Sequence, residues 1–255
     1  MRGHGGGTMK TPKHMAGFSL VELMVAMVLG LLITAAAVSL FSTNQRTFAL
    51  QQAMSEAQEQ GQLAMRFISQ DLQLTGYVSD LVGSVDYPGV NLEAVGDIPG
   101  SADSANGSND RLTISHHGRA DCTGTTLTPA VMTEVVNSYW VDDDGNLKCR
   151  GNLSTDSVIL LKDVRSFQVL YGIDQTEDRV AFASRYVKAS DVGVNPVVAV
   201  KIALLLEKPL PSLGGGDEER TFYLLDHQEA VNEGGKLLRQ FLSTVAIRNY
   251  RWGEV

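Results

Sequence analysis

From Phe18 to Phe41 the chain contains no Pro, Lys, Arg or Asp, and Glu22 is its only ionisable side chain. A run of about 24 such residues is long enough to cross roughly 30 Å of hydrocarbon as a helix. About thirteen Leu, Ile, Val and Phe residues favour insertion by roughly 4 to 8 kcal/mol in total, while a carboxylate at mid-helix opposes it by about 2.5 to 3.5. Insertion therefore wins with Glu22 inside. Glu22 also lies within a turn of the start, where it reaches the interface and where a helix N-terminus favours an anion. A cleaved secretory signal has an apolar core of about 7 to 15 residues before a small-residue cleavage site, so this run is too long for one. Arg2, Lys10 and Lys13 precede the run and the next basic residue is Arg46. That asymmetry keeps the N-terminus cytoplasmic and sends the remainder across the membrane, into the periplasm of a bacterium with two membranes.

The Gly17-Phe18 junction, the short basic leader before it, Glu22 four residues after it and the unbroken apolar helix together resemble the class III signal of type IV pilins and pseudopilins. The resemblance implies that a prepilin peptidase cuts after Gly17 and methylates the new N-terminal Phe18. It also implies a role for Glu22 in assembly, pairing its carboxylate with a new amino group across subunits and so setting their register. The leader, Met1 to Gly17, is long and Gly-rich for such a signal, and Met9 is an alternative start. An ordinary signal anchor is the bland alternative, but it has no reason to carry an acidic residue near the start of its helix.

Beyond Phe41 the chain is free of Pro until Pro88, and apolar or small residues recur at Leu50, Met54, Ala57, Gly61, Ala64, Ile68 and Leu72. Steps of three and four mark one face of a helix. Gln51, Gln52, Glu56, Glu59, Gln60, Gln62 and Gln70 make a polar face that reads as solvated surface. The helix is thus expected to continue to about Thr75, a rod of roughly 85 Å, with Gly76 as its stop. Gly30 and Gly61 interrupt it at about 1 kcal/mol each relative to Ala.

Residues from Gly76 to Asp110 are rich in Gly, Ser, Asp, Asn and Pro and read as a linking loop. After it, β-rich runs alternate with turns: Arg111 to Ser115, Val131 to Val141, Ser157 to Lys162, Arg165 to Tyr171, Val197 to Glu207, Arg220 to Leu225 and Gln240 to Asn249. Val197 to Leu206 is apolar on both faces apart from Lys201, the pattern of a central strand covered on both sides. The expectation is an α+β fold, with a leader at 1–17, an N-terminal helix at 18–75 of which 18–41 spans the membrane, and a periplasmic, mostly antiparallel β head at 76–255 packed on the helix.

Cys122 and Cys149 both fall in this extracytoplasmic head, and an even number in an oxidising compartment points to a disulfide. It would close a loop of about 28 residues, a constraint of roughly 3.5 kcal/mol by chain entropy. Two separate buried thiols are the alternative.

Other candidate chemistry is weak. Adjacent His116 and His117 on a strand point to opposite faces, so they read as solvated or hydrogen-bonded rather than as a metal pair. Asp142-Asp143-Asp144-Gly145-Asn146 has the acidic start of a calcium loop. However, Leu147 and Leu153 stand where an EF-hand needs Gly and Glu, and a hairpin turn through Asp144-Gly145 fits better. Gly214-Gly215-Gly216 and Gly234-Gly235-Lys236 lack phosphate-loop spacing, with Ala230 and Leu237 in the Gly and Ser/Thr places of the second. No Gly-x-Ser-x-Gly elbow is present, and neither catalytic residues, metal ligands nor a cofactor are expected. A net charge of −8 disfavours a nucleic-acid partner.

The resemblance extends into the head. Ala120-Asp121-Cys122-Thr123-Gly124, Tyr139-Trp140-Val141, Asp144 to Gly151, Val164 to Asp174, Val198 to Leu206 and Thr244 to Asn249 are similar to the head of PilW-type minor pilins. That similarity implies a low-abundance subunit that helps prime pilus assembly, near the tip, with consequences for twitching motility, adhesion and DNA uptake. The implied partners are other minor pilins, the major pilin, the prepilin peptidase, the pilus assembly platform and inner-membrane lipid. A J-type pseudopilin of type II secretion and a membrane-anchored adhesin are the competing readings.

Overall fold

The computed structural model describes residues 17–79, 89–104, 109–129, 131–176, 180–210, 218–232 and 234–250. The basic leader residues, both candidate starts, Pro88, Asn106-Gly107 and Gly214 to Gly216 lie outside them. The chain divides into two compact units, Met1–Phe48 and Ala49–Val255.

One helix, α1 (Leu20–Leu74), leads the described elements. Its start is set by Ser19, whose Oγ accepts the Glu22 amide at 3.2 Å while the Ser19 carbonyl accepts the Leu23 amide. Ser19-x-x-Glu22 is thus a helix-start signature, and it places Phe18 just outside the helix that the sequence reading began at 18. In the first unit every described residue, from Gly17 to Phe48, is exposed.

In the second unit the helix buries Ala53, Ala57, Gly61, Ala64, Met65, Ile68 and Leu72. The expected stripe holds from Ala57 onward. Further up, Ala53 rather than Met54 faces inward, and Leu50 is half-buried. The helix stops after Leu74, and Gly76 follows at φ +77°, a conformation glycine adopts without strain. Asn249 completes the end by donating its side-chain amide to the Gln73 and Thr75 carbonyls at 3.0 and 3.3 Å. These are among the acceptors that a helix terminus leaves unsatisfied.

The head contains β1 (Leu112–Gly118), β2 (Thr133–Val141), β3 (Leu147–Gly151), β4 (Ser157–Leu161), β5 (Val164–Ile173), β6 (Arg185–Val187), β7 (Val197–Pro209), β8 (Glu219–Leu224), β9 (His227–Asn232) and β10 (Lys236–Ala246). All named pairings are antiparallel. Among the described residues the strands form not one sheet but three: β1-β2-β3-β4, β10-β7-β5-β6, and the β8-β9 ribbon.

The 13-residue β7 lies between β10 and β5. Its Val200, Ile202, Leu204 and Leu206 join the main core with Ala57, Ala64, Ile68 and Leu72 of α1. Ala203 and Leu205 on its other face pack with Phe222, Leu224 and Val231 of the ribbon. Two-sided cover explains the continuous apolar run. Lys201, the exception, holds its ammonium 3.8 Å from the Tyr186 ring centroid. β3, β6 and β9 were not foreseen. β3 has no β-branched residue and β9 has only Val231, and β6 is only three residues long.

Candidate functional site

In the first unit Gly17 is exposed, and a Cβ built on it would meet nothing within 4 Å. The fold of this chain therefore does not require glycine there. Phe18 is 85 % exposed. Glu22 sits in the first turn of α1, a favourable place for a carboxylate beside the unsatisfied amides of the helix start. These three residues occupy one short segment. None of the apolar window that makes α1 long enough to cross a membrane is buried.

In the second unit Cys122 and Cys149 are joined by a disulfide with a Cα–Cα separation of 6.3 Å, within the ordinary range. Cys149 is fully buried on β3. The loop that carries Cys122 is fixed by its neighbour Asp121. One carboxylate oxygen accepts the Thr123 and Thr125 amides and the Thr123 hydroxyl, and the other accepts the Leu153 amide. Gly151 is needed beside it, since a Cβ there would overlap the Asp121 side chain.

Sequence reasoning missed the polar group that ties α1 to this region. Asp71, near the helix end, accepts the Tyr139 hydroxyl at 2.5 Å and the Asn137 amide at 2.8 Å. The Asn137 carbonyl oxygen in turn accepts the Cys122 backbone N–H at 3.0 Å. A charge-assisted bond to a buried phenol is worth more than a neutral one. Burial pushes the Tyr139 phenol well above its ordinary range, and the charge of Asp71 adds to the effect. The phenol therefore stays protonated, and its O–H donates a hydrogen bond to the carboxylate. The only warning in the sequence is an acidic residue, Asp71, immediately before the buried Leu72.

His116 and His117 are both buried rather than solvated. His117 Nδ1 accepts the Ser79 amide at 3.0 Å, and His116 Nδ1 lies 3.7 Å from Asp71 Oδ1, beyond hydrogen-bond reach. Burial lowers the His116 pKa, partly offset by Asp71 and reinforced by His117.

The acidic stretch after β2 is a hairpin turn, with Gly145 at φ +75°. Asp142 Oδ1 accepts the Asp144 and Asn146 amides, and its other oxygen meets Lys148 Nζ at 2.7 Å. Lys148 and the Asn146 amide hold the Asp142 pKa down to about 2. This carboxylate is committed to the turn. Among the described residues no three His, Cys, Asp or Glu side chains converge as metal ligands.

Residues 123–249 match the family model described as type IV pilus-assembly protein W. Residues 12–38 match the model of the prokaryotic N-terminal methylation motif. Among solved structures the chain is similar to a type IV-like pilin, TTHA1219 from Thermus thermophilus, with a TM-score of 0.44 and 20% identity, over 75% of this chain and 95% of that one. No curated protein matches it in sequence.

Proposed function

We propose that the chain is a PilW-type pilus-assembly protein, on the matches to residues 123–249 and 12–38, and that it is a minor pilin, a non-enzymatic subunit that helps prime and build the pilus. The reading is carried by one observation. The first 32 residues of the N-terminal segment, 17 to 48, are exposed throughout although most are apolar, so their partners are lipid before assembly and other pilin helices after it.

On this reading prepilin peptidase cuts after Gly17 and methylates Phe18. The open space around Gly17 supports it: where the fold does not demand glycine, an enzyme gripping the backbone closely supplies the demand. The mature subunit then waits as a single-pass inner-membrane protein with a periplasmic head and moves into the pilus, near its tip, with other minor pilins and the major pilin. In the filament Glu22 leaves water together with a subunit's new amino group. An unpaired buried charge is costly, so the two pair and set the axial register.

The test is a deletion strain. Loss of surface pili with protein secretion intact supports the proposal, whereas blocked secretion with intact pili moves the chain to a type II secretion pseudopilin. In a strain carrying only Glu22→Ala, cleavage and the head fold should persist while surface filaments and co-purifying minor pilins fall. Wild-type filament counts would remove the carboxylate from the mechanism.

A further inference from the structure

The face of the β1–β4 sheet opposite the helix-facing core carries a cleft of about 260 Å³, lined in part by Asp97, Arg111, Ser138, Trp140, Arg150 and Ser157. The sheet register assembles it. Arg150 on β3 is directly opposite Ser138 on β2 and Ser157 on β4. The Leu112–Tyr139 pairing brings Arg111, one residue before β1, alongside Trp140.

The Arg111 guanidinium lies 4.9 Å from the Trp140 ring centroid and donates to Ser138 Oγ at 3.3 Å. The guanidinium is thus seated over the half-buried indole. Arg150 Nη2 pairs with Asp97, while Arg150 Nε is buried without a hydrogen-bond acceptor. The guanidinium is therefore only partly satisfied, in a fold where most buried donors find partners. The Asp97 side chain is 73% exposed, and exposed ion pairs of this kind are weak. A carboxylate that displaces Asp97 takes Nη2 first and, with that ion pair opened, gains the neighbouring Nε in the two-pronged geometry that Arg favours.

The cleft thus offers an indole with a guanidinium over its ring, a second guanidinium whose one carboxylate partner is displaceable, and the exposed residues Thr155 and Ser157. In a chain of net charge −8, that local excess of positive charge selects an anion. The cleft is on a sheet face and not along an unpaired strand edge, so it lacks the backbone ladder by which a peptide strand is usually gripped. Its volume is just under the roughly 300 Å³ at which pockets for drug-sized ligands begin, which suits one ring of a longer molecule.

We infer that this cleft binds an acidic saccharide unit: the sugar packs against the Arg111–Trp140 pair, the carboxylate takes the fork of Arg150, and ring hydroxyls meet Thr155 and Ser157. The inference does not depend on the pilus-assembly reading, because it concerns the head alone.

The experiment is calorimetric titration of the full chain in detergent. The probes are a short galacturonic acid oligomer, the uncharged galactose oligomer of the same length, and a polyglutamate of equal charge. Only the acidic sugar should bind appreciably. Arg150→Gln should weaken it by about tenfold or more, the loss of a charged fork. Asp97→Asn should tighten it several-fold by removing the competitor, a gain that misfolding cannot imitate. Trp140→Ala should abolish binding. If that variant unfolds, Trp140→Phe, which keeps a smaller ring, should bind measurably more weakly. Absence of binding at millimolar sugar, equal binding of polyglutamate, or indifference to both Arg150→Gln and Asp97→Asn overturns the site.

Discussion

The two parts of α1 on either side of Phe48, one mostly apolar and the other apolar along a single face, answer different demands. In Leu20 to Phe48 every side chain is exposed, apolar ones included. From Ala49 to Leu74 burial is confined to a stripe of seven, and four of these are Ala or Gly. Apolar surface is not left in water without reason, so the first part is shaped by surroundings outside the chain and the second by the chain's own head. The glycines make the contrast concrete. Around Gly30 a Cβ would meet nothing, whereas at Gly61 it would fall 2.3 Å from the Phe241 ring of β10.

If that division is right, substitutions in the first part change processing and assembly while leaving the head's unfolding alone. The largest effect is expected at Gly17. Gly17→Arg should block removal of the leader completely, and the unfolding midpoint of the head should not move. Mass spectrometry of the membrane-bound chain reads the first outcome and thermal unfolding in detergent the second. An N-terminal N-methyl-Phe18 in this variant would overturn the proposed processing.

Next in size is a pair of truncations. Ile68 is fully buried, and Ile68→Ala should destabilise the head by about 2–5 kcal/mol. Leu32 is 63 % exposed, and Leu32→Ala should leave the urea midpoint of the head unchanged. Equal losses from both would mean that the head senses the first part of the helix directly.

What could be read in advance follows the same line. The membrane run, the helical stripe, Gly76 and the two cysteines declare themselves through local pattern, because a period or a residue type carries each of them. The central place of β7 was readable from its two-sided apolarity. The Asp71 group was not, since its partners Asn137 and Tyr139 are 66 and 68 residues away. Nor was the Asn249 amide at the end of α1, whose partners lie 176 and 174 residues back. Gly61 read as a cost to the helix, and only the Phe241 ring explains it. Ser19 is a different case: Ser-x-x-Glu is a local start signal, and it was overshadowed by the apolar run that follows.

The glycine pair tests the contrast by sign. Helix propensity alone makes Gly→Ala stabilising by about 1 kcal/mol. Gly30→Ala should therefore raise helical stability by up to that amount in detergent, measured by circular dichroism on heating. Gly61→Ala gains the same propensity but drives a methyl into Phe241, and overpacking costs about 1–3 kcal/mol. The net result is a head less stable by up to about 2 kcal/mol. Restoring stability by combining Gly61→Ala with Phe241→Leu would identify the ring as the cause.

The smallest expected effect is a pH dependence that belongs to the head alone. Burial holds the His116 pKa below its ordinary value, with Asp71 opposing and His117 assisting. The unfolded chain takes up a proton as pH falls through about 6.5, while folded His116 resists until a lower pH. In that window the unfolded state binds more protons, so stability is full above about 6.5 and declines as the solution is acidified. Urea unfolding at a series of pH values from about 7.5 down to 5 should show this decline. His116→Gln should flatten it, and Leu32→Ala should leave its slope untouched. A slope unaffected by His116→Gln would assign the acid sensitivity to other groups, and one altered by Leu32→Ala would break the separation between the two parts of the helix.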